Sequence, residues 1–569
     1  MTARLDDTVC YIKKEFVIER PTENLESIDQ PDKSEATEVS EPPQKKQKKE
    51  KRRGKNTNRP VFKEDIATKL CRSVYNGPNS GTCNFSGNCK MTHDVAKYLE
   101  SKPEDISDTC YIYSTKGFCR FGVSCRFAKA HLDENLNNLG VAPNEPEMKI
   151  DEFPKRTVDL FNILRKRKFD FSKSDEILRE VSKTMEENRK NDSQPCTEVK
   201  TSDVEVKPTS RERKLIDFRD KTYLAPLTTV GNLPFRRICK EFQVDITCGE
   251  MACAIPLING QRSEWALTRK HESEDFFGIQ ICGHSYKILT YACQVLAEEA
   301  DFDFIDLNCG CPIDLIYRQG AGSGLLNKVR VLESVVRSCS SILHTYGKAF
   351  TVKTRTGVYE NKSIAHELMP KIAQWGASQL TLHGRSREQR YTKLANYEYI
   401  QQCADAVKDI PVFGNGDIMS FEDYNAARKL APSISGLMIG RGALIKPWIF
   451  QEIKEQRHMD PSSSERFDML KRYVNYGLEH WGSDVKGVET TRRFLLEWQS
   501  FLHRYVPYGI LERPPQKINQ RPCKFTGRDE LETLMASNSC SDWIKLSEML
   551  LGPVPDGFQF LPKHKANSY

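Results

Sequence analysis

Asn308-Cys309-Gly310-Cys311-Pro312 concentrates more chemistry than any stretch of its length in this chain. Phe304, Ile305 and Leu307 before it read as a buried strand. Gly310 permits a turn that a side chain would oppose. Pro312 fixes φ and withholds an N–H. Cys311 is thereby held at the carboxyl end of a strand, where α/β barrels keep their chemistry. Gly320, Gly322 and Gly324 follow closely, and that spacing suits a backbone that approaches a flat or phosphorylated ligand. The plain alternative is a buried thiol packed as a small hydrophobe; the strand ends downstream weigh against it.

A second thiol chemistry lies between residues 71 and 131. Cys71, Cys83, Cys89 and His93 form one unit, and Cys110, Cys119, Cys125 and His131 form the next. Their cores match, Cys83-Asn84-Phe85-Ser86-Gly87-Asn88-Cys89 against Cys119-Arg120-Phe121-Gly122-Val123-Ser124-Cys125. Three thiolates and an imidazole close a tetrahedral zinc site, and such short units need the metal to fold. Phe85 and Phe121 share one offset, with Arg120, Arg126 and Lys129 nearby, a combination that stacks bases and follows phosphates. This resembles tandem CCCH zinc fingers, a family that mostly binds RNA. In the second unit Lys129 stands where that family has its histidine, which falls instead at His131. The expectation is two zinc ions, the first held more tightly.

The chain of 569 residues calls for several domains, and its net charge of +7 is mild. No apolar run is long enough for a membrane span, and the N-terminus has no apolar core of a secretory signal. A reducing compartment follows, cytoplasmic and nuclear, in which the 19 cysteines serve as metal ligands or free thiols. Residues 1–60 read as a disordered tail with a basic run, Lys45 to Lys55, suited to nuclear import or RNA phosphates. The fingers occupy 65–134. Residues 135–212 read as a partly helical connector, loose from Glu186 to Arg211.

The elements that must position Cys311 begin at Lys214. Short apolar runs alternate with amphipathic stretches: Tyr223–Leu227, Val244–Thr247, Phe277–Cys282, Phe304–Leu307, Phe350–Lys353, Gln379–Leu382, Val412–Phe413 and Leu437–Ile439. Eight strand–helix alternations over 213–455 predict an α/β fold, a (β/α)₈ TIM barrel. Polar residues and glycines gather at the strand ends: Pro226-Leu227-Thr228, Gln280, Lys353, His383-Gly384-Arg385, Asn415-Gly416-Asp417 and Gly440-Arg441. So many at one topological position argue for one shared site. Residues 460–552 then read as a helical domain, with Leu470, Val474, Leu478 and Trp481 on one face and Leu495, Trp498, Leu502 and Tyr505 on another. Residues 553–569 read as a tail.

Four motifs together, APL at the first strand, N-x-G-C-P at the fourth, HGR at the sixth and GNGD at the seventh, resemble the tRNA-dihydrouridine synthases, flavin enzymes on this barrel. The CCCH units and the stretch from His383 to Tyr391 are similar to the eukaryotic dihydrouridine synthase 3 branch. Leu227 stands where the wider family has Met, and Arg318 where many members have Lys. The resemblance implies an FMN-binding barrel with a C-terminal helical domain that grips tRNA. It implies that Pro226, Leu227 and Thr228 line FMN and that Gln280 bonds the isoalloxazine edge. Lys353 and His383 would stand over the ring, and Asn415, Gly416, Asp417, Gly440 and Arg441 would hold the ribityl chain and phosphate. Cys311 would be the general acid, giving a proton to C5 of uracil while hydride passes from FMN to C6 and NADPH restores FMN. The implied partner is tRNA, its variable loop in particular, with messenger RNA as a further substrate; nothing points to a membrane or an obligate protein partner.

Two other functions compete with this one. A finger protein with a dead barrel is opposed by Cys311, Lys353 and His383 occurring together. A barrel acting on a free pyrimidine is opposed by the fingers and basic segments, which a small substrate does not need.

Overall fold

The computed structural model describes residues 8–18, 65–140 except Asn79 and Ser86, 157–192, and 216–563 except Arg390 and Thr392. The basic run from Lys45 to Lys55 lies outside the described residues.

Eight parallel strands form the barrel: Thr222–Leu224, Thr247–Cys248, Phe277–Cys282, Phe304–Asn308, Ala349–Arg355, Gln379–His383, Val412–Asn415 and Gly436–Ile439. Each pairs with the next from the second to the eighth, and the eighth returns to the first with Met438 opposite Tyr223. Two backbone hydrogen bonds close the remaining seam, Leu224 N–H to Ile246 C=O at 2.9 Å and Ile246 N–H to Thr222 C=O at 3.0 Å. The period of two puts alternate residues inside. At the amino end they are aromatic: Tyr223 meets Phe304 and Phe413 edge-on at 6.1 and 5.9 Å, over Phe218 and Met438. This apolar plug fills the bottom of the barrel and leaves the polar inward residues to the upper layers.

The helical domain follows from two amphipathic helices, Ser463–Trp481 and Val485–Leu502. A capping box, Ser462 with Glu465, starts the first. Leu470, Val474, Leu478, Leu495, Trp498, Leu502 and Tyr505 are all buried. Trp498 stacks edge-on against Phe235 at 5.2 Å and donates its indole N–H to Leu444 C=O at 3.0 Å, which fastens this domain to the barrel. Arg492 is fully buried; it pairs with Glu489 and donates to the carbonyls of Leu551 and Gly552. It caps the last helix, Cys540–Leu551.

Three segments differ from their sequence reading. Residues 8–18 are ordered: Val9–Cys10 pairs with Arg521–Pro522, and Cys10 and Ile12 bury themselves against Val506, Ile510 and Leu511. The connector helix Ser172–Asp192 carries order past Glu186, and its buried Ser174 bonds Gln294 of a barrel helix. The tail is packed as far as Lys563, which reaches Glu497 with its N–H and Thr229 with its ammonium group. Among the described residues no helix is long and apolar enough to cross a membrane.

Candidate active site at the barrel mouth

Pro226, Leu227, Lys353, His383, Asn415, Gly416, Asp417, Gly440 and Arg441 line one cavity at the carboxyl end of the strands. Nine scattered strand-end residues thus converge. Thr228 and Gln280 are not part of its wall, nor is Cys311.

Cys311 sits beside this cavity on a loop fixed from several sides. The Asn308 side-chain oxygen accepts from the N–H groups of Gly310 (3.1 Å) and Cys311 (2.8 Å). The Asn308 amide donates to Gln280 Oε1 at 2.8 Å, and Gln280 Nε2 donates to Asp306 at 2.7 Å. Thr351 donates to the other Asp306 oxygen. Gln280 is buried inside the barrel, 1% exposed, and its two side-chain hydrogen bonds tie Asn308 to Asp306. On the far side, Arg355 donates through Nε to Gly310 C=O at 2.7 Å and through Nη1 to Ser386 C=O at 3.2 Å. It also lines the cavity, so one guanidinium joins cofactor wall and cysteine loop.

Of the glycines at 320–324, Gly322 packs against the cysteine itself. Gly322 has φ +56°, and a Cβ there would stand 3.0 Å from Cys311 Cβ. Ser323 donates its hydroxyl to Cys311 C=O at 2.7 Å. This loop cradles the cysteine.

Charge divides the two thiols. Cys309 is fully buried in the layer outside the strands, and burial pushes its pKa well up. Cys311 is 9% exposed; burial raises it, while the Ile313 N–H and the guanidinium groups of Arg355 and Arg387 pull the other way. The net rise keeps this thiol protonated near neutral pH, able to donate. Lys353, which donates to Asn415 at 3.1 Å, is pulled down to about 8 by burial and by Arg355. Burial and the same cations hold His383 well below its ordinary value, so it is neutral.

At the other end, Asp417 receives Arg385 at 2.6 Å and Arg441 at 2.9 Å. Arg441 also lies over the ring of Tyr391, 4.2 Å from its centroid. The carboxylate aims two guanidinium groups at the cavity wall that it shares with Arg441. Sequence reasoning assigned no role to Asp306, Arg355, Tyr391 or Ile518, although all but Asp306 line the cavity.

The cavity fits a flavin mononucleotide on its own evidence. His383 Nδ1, on the cavity wall, is buried without a hydrogen-bond partner. Gly440 is open, and a Cβ there would enter the space beside Ala225 and Leu227. A wall with arginine and glycine at one end and neutral His383 with Lys353 at the other suits a phosphate joined to an electron-rich ring.

The two Cys/His groups, Cys71, Cys83, Cys89, His93 and Cys110, Cys119, Cys125, His131, each gather their donor atoms within 4.8 Å. His131 Nδ1 bonds Asn138 Oδ1 at 2.9 Å, leaving Nε2 buried toward the thiols without a hydrogen-bond partner. That is the arrangement of a metal-bound imidazole with its outer-sphere partner. Zinc fits both groups.

A closed parallel barrel with its polar site at the carboxyl ends of the strands is the architecture of a barrel enzyme. The family model for dihydrouridine synthase (Dus) matches residues 223–503, and that for the DUS3L CCCH zinc finger domain matches 102–134. The tRNA-dihydrouridine(47) synthase [NAD(P)(+)]-like protein of Xenopus tropicalis is 54% identical, over 91% of this chain and 83% of its own. That of Homo sapiens is 47% identical over 91% and 84%, and that of Arabidopsis thaliana 40% identical over 89% and 86%. Among solved structures, morphinone reductase aligns with 43% of this chain and 88% of its own at 11% identity and a TM-score of 0.33. The chain belongs to the dihydrouridine synthase family.

Proposed function

We propose that this enzyme reduces a uridine of tRNA to 5,6-dihydrouridine, at position 47 as its relatives' names state, and that Cys311 is the proton donor to C5. The observation that carries the reading is a protonated, buried thiol on a braced loop, beside a cavity that fits FMN. FMN, when bound, supplies the hydride for C6 and is restored by NADPH. Lys353 and His383 would face the ring, their N–H groups answering negative charge; Arg441, aimed by Asp417, would hold the phosphate with Gly440. Arg355 keeps the Cys311 loop in register with that wall. A uridine in folded RNA leaves its stack to reach such a mouth. An unpaired uridine of messenger RNA presents the same ring, and the proposal extends to it.

The test is single-turnover reduction of a tRNA transcript by prereduced enzyme. Cys311→Ala should slow dihydrouridine formation by roughly two to four orders of magnitude, the usual worth of a placed general acid, with flavin content unchanged. Cys309→Ala should stay within about tenfold of wild type, since its thiol packs in the core. If Cys309→Ala is the inactive variant, or if neither slows the reaction, the assignment of the donor is wrong.

A further inference from the structure

Residues 8–18 lie some five hundred positions before the segment they touch. Lys13 N–H donates to Ile510 C=O at 3.0 Å, Glu512 N–H to Tyr11 C=O at 3.0 Å, Arg521 N–H to Thr8 C=O at 2.9 Å, and Thr526 N–H to Phe16 C=O at 2.9 Å. The contact is apolar as well: Cys10 is 2% and Ile12 4% exposed, against Val506, Ile510 and Leu511. The Arg513 guanidinium lies over the Tyr11 ring at 4.7 Å.

The segment so bound runs from 506 to 526, and its middle enters the site. Ile518 lines the cavity together with Asp417, Gly440 and Arg441. Arg504 donates to Ile518 C=O at 3.1 Å, and Gln516 links Arg504 C=O to Val506 N–H. Arg521 is close enough to Arg441 that, after burial, the second cation depresses its pKa further. Two braces therefore hold this loop over the arginine end of the cavity, Arg504 with Gln516 from within and residues 8–18 from outside.

We infer that residues 8–18 are a strap for the flavin site: by pinning the 506–526 loop they keep Ile518 over the phosphate end of the cavity and slow the release of FMN. This rests on the FMN reading above and adds an element that the barrel itself does not contain. The two contacts are coupled through one loop, so each must stabilise the other by the same factor. FMN should tighten the strap, and loosening the strap should release FMN.

Both directions can be measured on the full chain. Flavin release from the holoenzyme, followed by the fluorescence of freed FMN, should be faster in Ile12→Asp, and the dissociation constant for FMN should rise by about 5- to 150-fold, the usual range of such a coupling. Hydrogen exchange on the wild type, with and without added FMN, should show FMN protecting both 506–526 and 8–18. Protection confined to 506–526 would overturn the proposal, as would an unchanged release rate in an Ile12→Asp protein whose residues 8–18 exchange freely. A wild-type chain that takes up no FMN at all would instead sink the function assigned to the barrel.

Discussion

The two Cys₃His groups carry the same ligands and sit in opposite surroundings. In the first, Cys71 is buried, Cys83 and Cys89 are half-buried, and His93 is exposed. In the second all four are buried, at 1% exposure or less. The reason is the surface each meets. The second finger is docked on the helical domain: Arg126 N–H donates to Ser483 C=O at 2.8 Å, and the Ser483 hydroxyl lies 3.1 Å from Cys125 Sγ and 3.6 Å from Cys119 Sγ. Lys116 pairs with Glu479. Equivalent aromatics take different work. Phe121 packs against Gly482, whereas Phe85 is 69% exposed. A repeat in sequence is thus one structural bracket and one open face. The sequence leads to the expectation that the first finger holds zinc more tightly; the burial of the second site argues instead that water and chelators reach that one less easily.

Cys119→Ser should have the largest effect on stability. It should lose one zinc equivalent and cost more than ~4 kcal/mol, because loss of a structural metal is among the few mechanisms of that size. Cys83→Ser should lose one equivalent too, but leave the main thermal transition in place. Equal destabilisation by the two would abolish the distinction. A chelator should likewise strip the first site before the second, read as two phases of zinc release.

Gly482→Ala comes next. This glycine has φ +119°, and a Cβ there would meet Phe121 at 2.7 Å. Backbone strain and overpacking together should cost about 2–3 kcal/mol in thermal unfolding, with zinc content near two equivalents. A neutral substitution would mean that the finger does not press on the domain.

Smallest on stability is Phe85→Ala, expected within about 0.5 kcal/mol of wild type because the ring is exposed. Its effect should fall on RNA instead, where a lost stacking platform costs about 1–3 kcal/mol. Phe121→Ala should do the reverse. RNA affinity indifferent to Phe85 and sensitive to Phe121 would invert the division of labour.

Much of the barrel was legible because its period is regular. Phe277–Cys282 is the strand read from its short apolar run and is buried along its whole length. The second strand was displaced, Thr247–Cys248 against Val244–Thr247, since only two residues form its ladder and Ile246 pairs by an isolated bridge. In the site, types were easier to read than targets. Among the glycines of 320–324, Gly322 does allow a close approach, to Cys311, a contact no local pattern encodes. Ile518 had no signal, since it arrives from a loop beyond the barrel with no periodicity. Residues 8–18 were hidden by averaging: a few apolar residues suffice to cover an edge, yet vanish in a polar stretch of sixty.

The dock between the second finger and Ser483 also sets a timetable. Cys119 and Ser483 are 364 residues apart in the chain. At the ~5–20 residues per second of synthesis, a ribosome needs on the order of 20 to 70 seconds to traverse that interval. For that time the finger has its four ligands but lacks the surface that will bury them. Zinc supply to the nascent chain, rather than to the finished enzyme, is then the moment at which shortage of the metal would be felt, and chains that miss it would reach the helical domain with three uncommitted thiols at its margin.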